Sequence, residues 1–126
     1  TLDVVANVPP VLDMLNSDPG ILLQINGLTL TVGSSPGDVV YVIASPSAVP
    51  TSVPGLVDLA IGNNGSTAFI LATPTIGASG IFEKTFALPP LPPGFQLHAQ
   101  AAVLLGANGY ALPATTSNVQ TGTILF

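Results

Sequence analysis

Apolar residues in this chain come in short runs, and almost every run is cut by a glycine or a proline. Between the cuts lie stretches rich in Val, Ile, Leu, Thr and Phe, the pattern of many short strands joined by turns. It predicts strands over 20–26, 28–32, 38–44, 56–61, 67–72, 80–88, 94–105 and 116–126. Period-two alternation supports them. Along 95–103, Phe95, Leu97, Ala99, Ala101 and Val103 share one face, and Gln96, His98, Gln100 and Ala102 share the other. One dry and one polar face suits an antiparallel sheet with a solvated side. In 81–88, Phe82, Lys84 and Phe86 alternate with Ile81, Glu83, Thr85 and Ala87 in the same way.

The turns have a mechanism. Asn64-Gly65 and Asn108-Gly109 each sit between apolar residues, and both residue types tolerate the positive φ of a tight hairpin. Pro36-Gly37 fits the centre of a type II turn, and 77–80 separates two further strands. Helical spacing occurs only at Val8, Val11, Leu12 and Leu15. There Pro9-Pro10 would open a short helical turn over 10–16, and Ser17-Asp18-Pro19-Gly20 would end it. Seven to nine short strands in one domain predict an all-β, antiparallel two-sheet β-sandwich, with a closed barrel as runner-up.

Composition narrows the function. The chain has 126 residues, of which 48% are apolar and only 6% charged, against about 25% charged in an average domain. Its surface is therefore built from uncharged polar residues, which repel one another weakly and favour association. The net charge is −5, from six acidic residues and the single cation Lys84. One lysine cannot displace the counterions that nucleic-acid binding requires, nor hold anionic lipid heads. There is no cysteine, which excludes disulfides, thiolate metal sites and a cysteine nucleophile. No run approaches the roughly 18 apolar residues of a membrane helix, so no membrane insertion is expected. A start at Thr1, with no basic and apolar leader before it, reads as a mature, processed chain.

Candidate chemistry is sparse. His98 is the sole histidine, and its neighbours on the same strand face, Gln96 and Gln100, neither ionise nor bind metals well, so it reads as a hydrogen-bonded or surface histidine. The carboxylates are scattered singly, unlike the close pairs of glycosidases or the clustered oxygens of calcium loops. No catalytic residue, metal site or cofactor is expected. Asn64-Gly65-Ser66 matches the acceptor pattern for N-glycosylation, which makes Asn64 a candidate modification site beside its simpler reading as a turn. Tyr41 and Tyr110, without any Trp, are too few for an aromatic sugar platform.

Four stretches carry a resemblance. They are Gly27-Leu28-Thr29-Leu30-Thr31-Val32, then Pro36-Gly37 with Val39–Ala44, then Gly94-Phe95-Gln96-Leu97-His98-Ala99-Gln100-Ala101-Ala102-Val103-Leu104, and last Thr116-Ser117-Asn118. Together they resemble a secreted β-domain common in planctomycetes and related bacteria. Its pattern is a Gly-Leu-x-Leu-x-x-Gln-Ala-x-Val-Leu strand, a variable loop, and Ser-Asn before a last strand. Gln100 and Ser117-Asn118 take the places of the Gln and the Ser-Asn, and Phe95 departs from the pattern's Leu. The resemblance runs from about Gly27 to the C-terminus. It implies export and a β-sandwich, and carries no activity with it.

The remaining N-terminal residues suggest assembly. Leu2, Val4, Ala6 and Val8 alternate with Thr1, Asp3, Val5 and Asn7, and Pro9-Pro10 ends the pattern, since a double proline cannot continue a ladder. Residues 1–8 therefore read as a strand apart from a sandwich domain over 9–126. With one lysine, the sheet edges are poorly guarded against pairing between molecules. Edges of that kind and a detachable apolar strand are the two halves of β-strand addition. The expectation is a structural subunit of an extracellular filament, pilus-like fibre or surface layer, a head-to-tail homopolymer in which Leu2, Val4, Ala6 and Val8 enter a neighbour. Self-pairing of residues 1–8 is the simpler reading of that segment. The competing function is a cell-surface binding or adhesion module, monomeric or part of a larger secreted protein.

Overall fold

The computed structural model describes residues 10–14, 21–22, 27–54, 57–106 and 109–124. Among them the chain is all-β with no helix. The strands are β1 (Val11–Met14), β2 (Ile21–Leu22), β3 (Leu28–Gly33), β4 (Val39–Ser45), β5 (Thr51–Val53), β6 (Val57–Leu59), β7 (Phe69–Ala72), β8 (Ile81–Phe86), β9 (Gln96–Gly106), β10 (Gly109–Thr116) and β11 (Gln120–Ile124).

Two sheets face each other. One has the order β1-β3-β8. The other has the order β2-β11-β9-β4-β7, with β10 added alongside β9. Period-two burial makes them a sandwich. Leu12 and Met14 of β1 and Leu28, Leu30 and Val32 of β3 point inward from the small sheet. Val40, Val42 and Ala44 of β4, Leu97, Ala99, Ala101 and Val103 of β9, and Ile124 of β11 meet them from the large one. On the outer side of the small sheet the alternate residues are polar and paired across strands. Thr29 and Thr85 share a hydrogen bond of 2.8 Å, and the Thr31 hydroxyl donates to Glu83 at 2.9 Å. This sheet has the solvated face that alternation predicts.

The large sheet does not. Of the expected polar face of β9, only Gln96 is exposed, while His98, Gln100 and Ala102 are buried. The reason is a third layer, the two-stranded hairpin β5-β6. Ile43, Leu59, Ile61 and Ala102 form a second apolar cluster there. The Gln100 side chain replaces water by accepting from the Ala60 N–H at 2.9 Å and donating to the Ser117 carbonyl at 2.9 Å. No buried side-chain polar atom among the described residues lacks a partner, as a dry interior requires.

Of the at most one helical turn expected near 10–16, the described residues show none: 11–14 form β1, antiparallel to β3 with Leu12 opposite Val32. Leu12 and Met14 fit a period of two as well as Val8, Val11, Leu12 and Leu15 fit one of 3.6. A waiting strand edge with an apolar interior decides between them. The sandwich is also not wholly antiparallel, because β2 runs parallel to β11. The strand number exceeds the expected seven to nine, since β1, β5 and β10 were not anticipated.

The turns divide. Asp38 N–H donates to the Ser35 carbonyl at 3.0 Å with Gly37 at φ 92°, the type II turn expected of Pro36-Gly37. Asn64 and Gly65 do have positive φ, but they do not join paired strands: β6 pairs with β5, and β7 with β4. They belong to a left-handed run over Gly62, Asn63, Asn64 and Gly65, with φ of 105°, 50°, 57° and 84°. Thr51 holds this run, its hydroxyl donating to the Ile61 carbonyl at 2.8 Å and accepting from the Gly65 N–H at 2.9 Å. Gly106 pairs with Gly109 across the β9-β10 hairpin. Asn108 itself, the stop at 17–20 and the donor residues Leu2, Val4, Ala6 and Val8 lie outside the described residues.

Candidate functional site

The feature that stands out is an apolar groove at one seam of the sandwich. The small sheet ends on β8 and the large one on β7, and each pairs on one side only among the described residues. From β8 the chain crosses between sheets through Ala87-Leu88-Pro89-Pro90-Leu91-Pro92-Pro93-Gly94-Phe95. Four prolines keep this crossover out of any ladder and hold it extended. Its last turn is fixed by the Phe95 N–H donating to the Pro92 carbonyl at 3.1 Å, with Gly94 at φ 87°. No strand among the described residues fills the seam, and a cavity of about 260 Å³ opens there, lined only by apolar residues that include Leu28, Phe69, Leu71, Phe86, Leu88 and Phe95.

The rim carries exposed hydrophobics. Phe69 and Ile70 on β7 are 47% and 57% exposed. Phe69 and Ile70 pair in regular register with Ala44 and Ile43, so Phe69 turns to the groove that it lines and Ile70 to the other face of β7. The cation Lys84 lies on the same side of β8 as Phe82 and Phe86. Its Nζ sits 5.4 Å from the centre of the Phe86 ring, within cation–π range. It is the sole positive side chain of the sequence, and it stands where edge strands usually carry their guard. The groove can therefore take apolar side chains inside, while the edges of β7 and β8, unpaired on one side among the described residues, offer main-chain donors and acceptors.

The other candidates stay apart from it and from one another. His98 lies between Ser45 and Thr121 on neighbouring strands. Its Nδ1 is 2.8 Å from the Thr121 hydroxyl, and burial pushes its pKa below the ordinary value. This is the hydrogen-bonded histidine of the sequence reading, though buried. Asp38 accepts from the Ser34 hydroxyl at 2.6 Å, and Asp58 from the Ser52 hydroxyl at 2.7 Å. No group of three or more metal-ligating side chains occurs among the described residues. Asn64 is exposed in its left-handed turn, and the Ser66 hydroxyl of the same acceptor pattern donates to the Asn63 carbonyl at 2.7 Å.

Gln100 and Ser117-Asn118, far apart in sequence, do meet. Beyond the Gln100–Ser117 bond, the Ser117 hydroxyl accepts from the Ala101 N–H at 2.8 Å and donates to the Asn118 carbonyl at 2.7 Å. The Asn118 amide then grips β1 at both main-chain groups of Leu12, accepting from its N–H at 3.0 Å and donating to its carbonyl at 2.9 Å. These three polar residues tie the outer hairpin, the long strand β9 and β1 together. Their geometry is that of a structural tie.

Sequence reasoning did not find the groove. Its lining comes from both sheets and the crossover, and the only local trace is Leu88, Leu91 and Phe95 set among prolines, apolar residues with no strand to belong to. Comparison with family models, with curated proteins and with solved structures finds no match to this chain.

Proposed function

We propose that this protein is structural, a β-sandwich subunit of an extracellular filament, pilus-like fibre or surface layer that assembles by β-strand addition at the seam between β7 and β8. The observation that carries the reading is the groove, an apolar trough bordered by two strand edges with no partner among the described residues. An added strand gains main-chain hydrogen bonds from an edge and specificity from alternate side chains set in pockets. The cavity of about 260 Å³ lies below the usual range for drug-sized ligands, about 300–1,000 Å³. It has room for large aliphatic side chains, since about 150 Å³ already admits benzene. The scarcity of charge works the same way, leaving little repulsion between copies. Export rests on the resemblance to secreted β-domains.

The test is the state of the purified full chain. Negative-stain microscopy and analytical ultracentrifugation are expected to show polymers, dispersed by Phe69→Arg or Ile70→Lys. Both positions are exposed, so these changes leave the fold intact. A monodisperse 12.6 kDa species at high concentration overturns the reading and favours a monomeric binding module instead.

A further inference from the structure

We infer that the seam groove also binds an aliphatic carboxylate of about ten carbons, with its tail inside and its head on Lys84, and that such a ligand competes with an added strand. The binding needs one copy of the chain only. The competition rests on the strand-addition reading.

Three observations select this chemistry. The first is the lining. Every wall residue of the groove is apolar, and its floor includes Leu28 and Leu97, which belong to the core. Such a cavity gives water no side-chain partner, so exchanging water for hydrocarbon is favourable. It gives a ligand none either, and a polar group of the ligand must therefore stay at the mouth. The occupant has one apolar stretch with its polarity at the end.

The second is the sign of the charge at the mouth. Lys84 lies opposite Leu30 in the β3-β8 pair, and Leu30 is fully buried. Alternation thus sets the Lys84 stem on the inward row of β8, with Phe82 and Phe86. The side chain is exposed, its stem following apolar surface while the ammonium reaches water. Nζ stands 5.4 Å from the centre of the Phe86 ring, and that ring lines the groove. Glu83, its neighbour in sequence, turns to the opposite face and accepts from the Thr31 hydroxyl. The one base of the sequence therefore stands on the groove's side of β8 and the adjacent acid on the other. An anionic head is attracted there and a cationic head is repelled.

The third is size. The six carbons of benzene fit a cavity of about 150 Å³, about 25 Å³ each. A groove of about 260 Å³ then takes about ten carbons, the length of a medium-chain fatty acid. The same walls would receive the side chains of an added strand, so ligand and strand exclude each other.

Fluorescence titration of the full chain with decanoate tests this. The sequence has no tryptophan, which leaves room for a single reporter. Phe69→Trp places it on the groove wall, and Ile81→Trp places it at an exposed position on the outer face of the small sheet. Decanoate is expected to shift the emission of Phe69→Trp to the blue, saturably, and to leave Ile81→Trp unchanged. Octanoate should bind about fifteenfold more weakly, about fourfold for each lost methylene, and dodecanoate no more tightly than decanoate. In the Phe69→Trp background, Lys84→Gln should weaken decanoate about fivefold, the effect of one exposed ion pair, without changing the melting temperature. Lys84→Arg should recover it. Decyltrimethylammonium should gain from Lys84→Gln.

No saturable shift, equal shifts from both reporters, or an affinity that ignores Lys84→Gln overturns the site. Sedimentation separates it from strand addition. If the native chain polymerises, decanoate is expected to disperse the polymers. Polymers that persist while decanoate is bound remove the competition. Polymers with no decanoate binding remove this site and leave strand addition standing. A monomeric chain that binds decanoate leaves this site and removes strand addition.

Discussion

Asn118 offers the sharpest test of how the sandwich is held. It is an exposed residue, yet its amide makes two hydrogen bonds of 3.0 and 2.9 Å to the main chain of Leu12, which is 1% exposed. Strand β1 is only four residues long and, among the described strands, pairs with β3. Asn118 therefore does the work of a second neighbouring strand. Each bond contributes about 1 kcal/mol net. Leaving both Leu12 groups dry and unpaired would add more, but a hole at an exposed position admits water, which takes part of the loss back. Asn118→Ala is expected to cost about 2 kcal/mol. With about 2.1 cal/mol/K of unfolding entropy per residue, a 126-residue domain should lose roughly 8 °C in Tm. The direct assay is amide hydrogen exchange by NMR: the Leu12 amide should lose protection selectively, while Val42 and Ala101 keep theirs, as in local opening of one strand. A loss below about 0.5 kcal/mol, or uniform loss of protection across the sheets, would refute the argument that the side chain replaces a strand.

Three further outcomes are expected. A Cβ on Gly62 would lie 2.5 Å from the Thr51 hydroxyl at a φ of 105°, whereas one on Gly65 meets nothing within 4 Å. By denaturant titration, Gly62→Ala should therefore cost more than about 2 kcal/mol and Gly65→Ala about 1 kcal/mol. His98 has its pKa lowered in the fold, so the unfolded chain takes up the proton first. Its contribution to stability is full above the ordinary value of 6.5 and falls as pH drops from there towards the folded value. His98→Gln should flatten that part of the stability–pH curve, and an unchanged slope would contradict the assignment. Lys84, the one trypsin site, lies within β8, so the native protein should resist trypsin and yield two fragments only when unfolded; rapid native cleavage would mean that β8 opens readily.

What the sequence disclosed follows the range of the forces involved. Alternation along 95–103 names the inward residues of β9 correctly, because a strand's two faces are fixed by its own geometry. The same pattern cannot say that the polar face is roofed. That depends on β5-β6, some forty residues earlier in the chain, and Gln100 looks like any surface glutamine until Ala60 arrives. Pro36-Gly37 was legible because its φ values are local. Asn64-Gly65 was legible as positive φ and misleading as a hairpin, because strand pairing is chosen by distant partners. Val11–Met14 carries both periods at once, and only the presence of β3 resolves them. The groove is the extreme case: an absence between two edges, made by residues from both sheets, with no signature in any window of the chain. The donor residues Leu2, Val4, Ala6 and Val8 are the reverse, a clear pattern whose partner the sequence could not name.

The grip of Asn118 on Leu12 spans 106 positions of the sequence. A ribosome delivers residue 118 long after residue 12, so the lock on β1 engages late, after β3 and β9 have already emerged. Until then β1 lacks the clamp that Asn118 places on both main-chain groups of Leu12. Closure is written into the order of the residues as a delay, with the key placed 106 positions after the door.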